Sequence, residues 1–446
     1  MQPHNAETSK SQTRVLVIGA GVTGLTAAYS LVRRGVHVTV VEASEEVGGL
    51  ASSLVVDGTP IEKYYHFICT EDHDLVELIN ELGIADKLTW REAKTSFFVN
   101  GRSYAFDKPL DLLRFHPVPF TQRLRFGLNV FLSQHRKDWH GLDGIPAKSW
   151  LTQQVGAQAY SIIWDPLLRI KFGAFHEEIS AAWIWHRIHR VARSRTGVFS
   201  GNSHGFLEQG CFTLTEALLA KMRQTDSFEL ITGRAVQSII TEGGEARSVL
   251  LKGQDRPIEA DATISTVAVP RLLQMAPDLT EKPCRLSEIE YLNIVCALFH
   301  VDRPFSDSFW LNVNDPRISF NGIVEMTNLN PRDDFQGGCF LYIPFYLHTA
   351  DPRWSYDDDK IYEEYTCALK LIRPDFDRSW IKNWWVSRDL YAQAICRVGF
   401  KDLMPSHETP IKDLYMTDSS QYYPEDRTVS ASVRLGRGVA DLVPKG

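Results

Sequence analysis

The chain has 446 residues, 44% of them apolar, and a net charge of −7. That length is too great for one small core and suggests two domains, and the acidic balance excludes the basic face that a nucleic-acid binder needs. The cysteines at 69, 211, 284, 296, 339, 367 and 396 are odd in number with no CxxC pair, which reads as reduced thiols of a cytoplasmic protein, not a disulfide frame or a zinc site; no metal is expected.

Residues 1–13 are polar and read as a loose tail. Val15 to Val32 is almost uncharged, yet three glycines at fixed spacing argue against a signal peptide or a membrane span. Val15-Leu16-Val17-Ile18 reads instead as a buried parallel strand, Thr23 to Arg34 as a helix ended by Gly35, and Val36 to Val41 as a second strand. Together they make a βαβ unit. Residues 71–90 read as a helix with Leu75, Leu78, Ile79 and Leu82 as its stripe, and 95–106 as a hairpin turning at Asn100-Gly101. Residues 108–190 are mostly helical in pattern. Beyond Gly205 come a helix (Thr213 to Arg223), a hairpin-like stretch (Glu229 to Leu251), strands at Ala262 to Val267, Asn293 to Val301 and Phe340 to Leu347, and a closing strand, loop and helix over 411–443.

Gly19-Ala20-Gly21-Val22-Thr23-Gly24 carries the strongest chemical signal. Gly19 permits a tight turn out of the strand, Gly21 lets backbone approach a pyrophosphate, and Gly24 lets the helix pack close to the sheet. The helix N-terminus, with Thr23 in its first turn, then offers free N–H groups to phosphate. Glu42 lies at the end of the second strand, where a carboxylate accepts from both ribose hydroxyls and disfavours a 2′-phosphate. Gly48-Gly49 adds a second glycine pair that a plain nicotinamide unit does not need and that suits a more enclosed FAD.

Residues 15–53 resemble the N-terminal FAD fingerprint of the flavin amine oxidase superfamily, which includes monoamine oxidases, protoporphyrinogen oxidases, phytoene desaturases, UDP-galactopyranose mutases and Rab GDP-dissociation inhibitors. Three later stretches extend the resemblance: 233–239, where backbone at Val236 would meet adenine; 264–267; and 414–419 with the helix opening at 429–432. There Ser419 would meet pyrophosphate and Val429 and Ser430 would face the flavin. The family has Gly-Asp in that loop where this chain has Asp418-Ser419, so either residue is a candidate contact. The resemblance implies an α/β fold: a two-domain, Rossmann-like FAD-binding architecture of the glutathione-reductase-2 type with an inserted α+β substrate domain. The FAD domain is expected to use 1–70, 205–275 and 385–446, and the substrate domain 71–204 and 276–384.

The substrate side is less specific. Tyr64-Tyr65-His66-Phe67 resembles the segment that passes the flavin in the mutases, which makes Tyr65 and His66 catalytic candidates, with Tyr391 before the closing strand a third. Residues 164–173 put Arg169 and Lys171 among aromatics, either as an anion site or as snorkelling side chains around a core tryptophan. His186 and His189 share a helix face without a third ligand, which favours a structural role. Residues 108–136 mix arginines with Leu and Phe, as a substrate-domain helix or a membrane-surface helix would. In amine oxidases of the superfamily a lysine stands on a substrate-domain strand; here the matching position is Val295, so simple amine oxidation is not expected. The expected partner is a small molecule, phosphate-bearing or lipid-like. Three functions follow from the resemblance: hydride transfer from a substrate carbon to flavin N5, a non-redox mutase reaction, or flavin-independent binding of the dissociation-inhibitor kind.

Overall fold

Five short, apolar strands with both faces covered form a parallel sheet in the order Phe228–Ile231, His37–Val41, Arg14–Ile18, Ala262–Ser265, Leu414–Met416. The computed structural model describes residues 12–56, 58–193, 202–281, 284–332 and 338–444; the tail expected over 1–13 falls outside them up to residue 11. The register pairs Leu16 with Thr39 and Val17 with Ile264, so the N-terminal strand is central and continuous apolar side chains fit both faces.

Helix Val22–Val32 leaves this central strand and packs against the C-terminal helix Val429–Leu442. Gly436 makes that approach possible: a Cβ there would lie 2.5 Å from the Thr23 carbonyl. Helix Cys211–Met222 covers helix Val22–Val32, and helix His73–Leu82 covers the C-terminal helix through Leu75, Leu78, Ile79 and Leu82. Arg437 anchors this last pair to Glu81 (2.7 Å) and Glu77 (3.2 Å).

The second sheet runs Ile381–Ala394, Tyr291–Val301, Cys339–Leu347, Gly322–Glu325, Trp310–Asn314, Thr95–Val99, Arg102–Ala105. It is antiparallel except where Trp310–Asn314 meets Thr95–Val99. Its outer face (Val295, Ala297, Phe299, Leu341, Ile343) packs on helix Asp358–Ile372, and its inner face (Ile294, Cys296, Leu298, Tyr342, Tyr346) belongs to the main core with Tyr64 and Trp183. The hairpin at 95–106 turns through Asn100 (φ 52°) and Gly101 (φ 75°), the backbone that an Asn-Gly turn supplies.

Several sequence expectations change here. Phe228–Ile231 is not part of a hairpin with Leu251; it joins the parallel sheet beside His37–Val41, and the hairpin is Val236–Glu242 with Glu245–Leu251. The boundary expected at 385 falls inside strand Ile381–Ala394 of the second sheet, and that expected at 205 falls inside Asn202–Leu207, which pairs with Leu88–Ala93. Helix His73–Leu82, expected in the substrate domain, packs with the parallel sheet's core. For Phe228–Ile231 and His73–Leu82 the local pattern was right for strand or helix, but the partner is set by distant residues; the end of the helix expected over 71–90 is instead the start of strand Leu88–Ala93.

Candidate functional site

The turn after the central strand is built from glycines that exclude side chains. Gly19 has φ 101° and donates its N–H to the Val41 carbonyl at 2.8 Å. A Cβ on Gly24 would sit 2.0 Å from the Gly19 carbonyl oxygen, so the helix start closes on the turn only with glycine. Gly48 (φ 109°) and Gly49 (φ 58°) fold back onto this turn: the Gly48 N–H donates to the Ala20 carbonyl at 2.8 Å, and a Cβ on Gly49 would be 3.3 Å from the Gly21 Cα. The three glycines of 19–24 and the pair Gly48-Gly49 thus form one cradle of bare backbone, with Gly21 and Gly49 at its accessible surface.

Glu42 closes the cradle. Its carboxylate accepts from the Ala20 N–H at 2.7 Å and the Ser44 N–H at 3.0 Å, which holds it at the rim. The chain entering the hairpin docks beside it: Arg234 N–H donates to the Glu42 carbonyl (3.0 Å) and Gly233 N–H to the Ser44 carbonyl (2.8 Å), which brings Val236 near the same rim. Asp418 and Ser419 separate clearly. The buried Asp418 carboxylate accepts from Val269 N–H (3.0 Å), Ser420 N–H (2.9 Å) and the Tyr291 hydroxyl, so it organises the closing loop internally. Ser419 keeps accessible surface. Thr428 caps the last helix by accepting from Ala431 N–H at 2.9 Å, with Val429 and Ser430 in its first turn. The cradle residues, a pyrophosphate-sized gap of bare backbone and one carboxylate at the ribose position, fit an FAD dinucleotide.

Aromatic side chains gather on the face of the second sheet that joins the main core, the side expected to hold a substrate cleft. Tyr65 is half-buried, edge-on to Trp310 (5.2 Å between centroids) and Tyr342 (6.3 Å), and burial pushes its phenol well above the ordinary value. Tyr64 points the other way and donates to Asp389 at 2.7 Å; burial, then Asp389, raise its phenol. His66 Nδ1 lies 3.0 Å from Glu62 Oε1, which also accepts from Cys211 N–H at 3.1 Å and so caps helix Cys211–Met222. Among the described residues Glu62, His66 and Cys211 are close enough to share an ion, but the carboxylate is already spent on that cap and on the imidazole. Tyr391 sits at φ 57°, unusual for a residue with a side chain, with its N–H on Asn293 Oδ1 (3.1 Å) and its ring edge-on to Tyr291 at 5.8 Å. Tyr65 and Tyr391 thus stand on separate elements, and His66 is tied to the helix cap.

Val295 is corrected. Alternation along strand Tyr291–Val301 turns it to the outer face, against helix Asp358–Ile372; Ile294 and Cys296 are the neighbours that face the cleft side. Neither is a lysine, so the absence of a strand lysine holds with the parity shifted by one.

The cation pair at 169 and 171 divides. Arg169 lies at the surface with Asp165 at 2.7 Å, whereas Lys171 is buried over the rings of Tyr346 (4.7 Å) and Trp183 (4.9 Å). Trp164 is core, stacked on Phe126 at 6.3 Å. His186 and His189 are structural: His189 bonds the Ser133 carbonyl, and burial, then His189 and Arg190, push His186 down to about 3. Sequence reading missed the partner of Lys171, which is Asp426, and the other cations beside that carboxylate, Arg187 and Arg427. The only local hint was a charged pair just before the cap at Thr428.

Helix Phe120–His135 is inverted. Phe126 is the one apolar side chain buried, beside Arg123, Asn129 and Ser133, while Phe120, Leu124, Leu128, Phe131 and Leu132, one stripe at i, i+4, i+8, i+11 and i+12, are exposed. Leu110 and Leu113 of helix Pro109–Arg114 extend the patch, and Lys108, Arg114, Arg136 and Lys137 stand exposed around it. Among the described residues no helix is long and apolar enough to cross a membrane.

Comparison with known proteins agrees with this geometry. The family model for flavin containing amine oxidoreductases matches residues 22–441. The mitochondrial protoporphyrinogen oxidase of Nicotiana tabacum is 28% identical over 185 residues, 40% of this chain but only 37% of that enzyme. The zeta-carotene desaturase of Synechocystis is 21% identical over 96% of this chain and 97% of its own length. Of solved structures, a putative protoporphyrinogen oxidase from Exiguobacterium superposes with a TM-score of 0.74 at 18% identity, covering 97% of this chain and 98% of its own. Reduced UDP-galactopyranose mutase gives 0.74 at 18% identity, covering 96% and 95%.

Proposed function

The chain belongs to the flavin containing amine oxidoreductases, and from that premise we propose that it is an FAD-dependent oxidoreductase (a dehydrogenase, oxidase or desaturase) that removes hydride from a carbon of an apolar substrate met at a lipid surface. Bound FAD supplies the two-electron acceptor. Gly19, Gly21, Thr23 and Gly24 would hold its pyrophosphate, Gly48 and Gly49 close over it, Glu42 its ribose, Val236 its adenine, and Ser419, Val429 and Ser430 its remaining phosphate and ring. The aromatic walls at Tyr65 and Tyr391 exclude water from the cleft, which a hydride transfer requires. The strand that carries a lysine in amine oxidases of the superfamily offers Ile294 and Cys296 here, which argues against simple amines.

The observation that carries the substrate class is the inverted helix. Five large apolar side chains in one stripe, left in water, forgo about 1.5–3 kcal/mol each on full burial, and residues 108–137 carry six Lys or Arg against one Asp in a chain of net charge −7. An apolar face with a basic rim matches the boundary of anionic lipid. The desaturase aligned over nearly the whole chain is named for a carotene, an apolar substrate of this kind.

Anaerobic mixing of oxidised, FAD-loaded protein with candidate substrates tests the chemistry: flavin absorbance should bleach with isoprenoid or other apolar C–H donors. Bleaching by simple primary amines at turnover rates refutes the exclusion. Activity only after chemical reduction, without net redox change, replaces this reading with the mutase. Sedimentation with anionic vesicles tests the surface. Binding should fall in Leu128→Glu and on raising salt; a wild-type protein that ignores vesicles and elutes as a dimer assigns the patch to self-association.

A further inference from the structure

Two cationic side chains, Arg187 and Lys171, meet the Asp426 carboxylate, and a third, Arg427, stands beside them. Asp426 Oδ2 accepts from Arg187 Nη1 at 2.8 Å, and Oδ1 accepts from Gln393 Nε2 and Arg427 N–H, each at 3.0 Å. Lys171 Nζ stands 3.7 Å from the same Oδ1. The Arg427 guanidinium turns away from Asp426, donating to the Ala392 carbonyl at 3.2 Å and to the Tyr346 hydroxyl. Asp389, bonded to the neutral Tyr64 phenol, also acts on Arg427, so the formal sum is +3 − 2 = +1. Asp72 does not cancel the remainder, because it is paired with Arg190 at 2.8 Å.

A surplus of buried charge is costly unless a counter-ion meets it. The enclosure is real: Lys171 is 6% exposed, and Tyr346 and Trp183 close over it. Arg187, Asp426, Arg427, Tyr65 and Tyr422 nevertheless keep some accessible surface, so the cluster is not sealed off. The electrostatics agree. Burial chiefly holds the Lys171 ammonium down at about 8; Asp426 opposes this, and Arg187 and Arg427 add to it.

We infer that Lys171, Arg187 and Arg427 form an anion subsite that receives a carboxylate or phosphate group of the substrate, beside Tyr65 and Tyr346. This rests on the reading of the cleft as a substrate chamber, and it narrows the substrate from an apolar molecule to an amphiphile with an anionic group. The apolar body approaches from the lipid surface; the anionic group ends against the cations and brings them toward neutrality. A guanidinium and an ammonium held at different angles accept either a planar carboxylate or a tetrahedral phosphate.

Calorimetric titration of FAD-loaded protein with inorganic phosphate, propionate and uncharged propionamide tests the subsite. One or both anions should bind and propionamide should not; which anion binds tells phosphate from carboxylate. Lys171→Gln and Arg187→Gln should each lower anion affinity at least tenfold with flavin still bound, and Arg187→Lys should restore part of it. If Arg187→Gln fails to fold, Lys171→Gln decides. Anions that bind no better than propionamide, variants that bind like the wild type, or anion binding confined to FAD-free protein each overturn the inference. Flavin bleaching is read separately: bleaching without anion binding sinks the subsite alone, and anion binding without bleaching sinks the oxidoreductase reading alone.

Discussion

The glycine cradle and the cationic cluster both suit anions, and they are built in opposite ways. The cradle uses backbone: Gly19, Gly21, Gly24, Gly48 and Gly49 clear side chains from N–H groups at a helix start, and its formal charge is the Glu42 carboxylate at the rim. The cluster uses side-chain charge: Lys171, Arg187 and Arg427 come from three separate elements around Asp426. Backbone dipoles cost little to bury because their hydrogen-bonding is local, whereas ionised side chains must be desolvated and matched. The cradle therefore tolerates no added atom at Gly19, Gly24 or Gly48, and the cluster tolerates no lost charge.

Four substitutions and one titration sharpen that contrast. Gly24→Ala should have the largest effect, because its Cβ would overlap the Gly19 carbonyl at 2.0 Å. We expect no flavin-containing soluble protein, because a 2.0 Å approach to backbone exceeds the overpacking a core absorbs by side-chain shifts. Gly144→Ala, where nothing lies within 4 Å, should be silent in flavin content and thermal midpoint. If both behave alike, steric exclusion is not what the cradle glycines do.

Asp426→Asn comes next, with about 3–5 kcal/mol of stability lost in denaturant unfolding at neutral pH. The same change in a Lys171→Met background should cost measurably less, and equal costs would show that the two groups do not interact. Glu42→Ala should keep the fold and weaken FAD by about 1.5–3 kcal/mol, the worth of hydrogen bonds to a charged group. Fluorescence titration of apoprotein measures it, and unchanged affinity removes Glu42 from the site.

The pH dependence of the cluster has a defined sign. The Lys171 ammonium titrates at about 8 in the folded protein against 10.5 in the unfolded chain. Between those values the unfolded chain binds more protons, so this group adds stability as pH rises. The stability of the wild type relative to Lys171→Met should therefore climb from pH 8 to 10.5. Asp426 acts at the other end: burial alone would raise its pKa, but Lys171, Arg187 and Arg427 outweigh that and hold it low, so its contribution is lost as pH falls below the ordinary carboxylate range. The smallest effect is Leu128→Gln, within about 0.5 kcal/mol of wild-type stability because the side chain is already in solvent; a loss of several kcal/mol would mean that the stripe is core.

Much of the cradle was legible because it is local. A buried strand, glycines at set spacing, a helix and a carboxylate at the next strand end lie within 49 residues, and their roles depend on φ angles and missing Cβ atoms that residue type alone dictates. The closing motif was legible only to the level of two adjacent residues: that Asp418 is consumed while Ser419 stays accessible depends on Tyr291 and Val269, 127 and 149 residues distant, besides the nearby Ser420. Val295 was misassigned by one position because strand alternation gives two faces without naming which one meets the cleft.

By itself the sequence determined the dinucleotide cradle, the βαβ unit, the Asn-Gly hairpin and the absence of a strand lysine. The tertiary structure decided which of Arg169 and Lys171 is buried, that Asp426 gathers Lys171, Arg187 and Gln393, where Ile381–Ala394 pairs, and which stripe of helix Phe120–His135 faces water. The reason is physical. Backbone conformation is set by neighbours along the chain, whereas desolvation and ion pairing are set by neighbours in space, and a charged or apolar residue has no fixed role until burial chooses its surroundings.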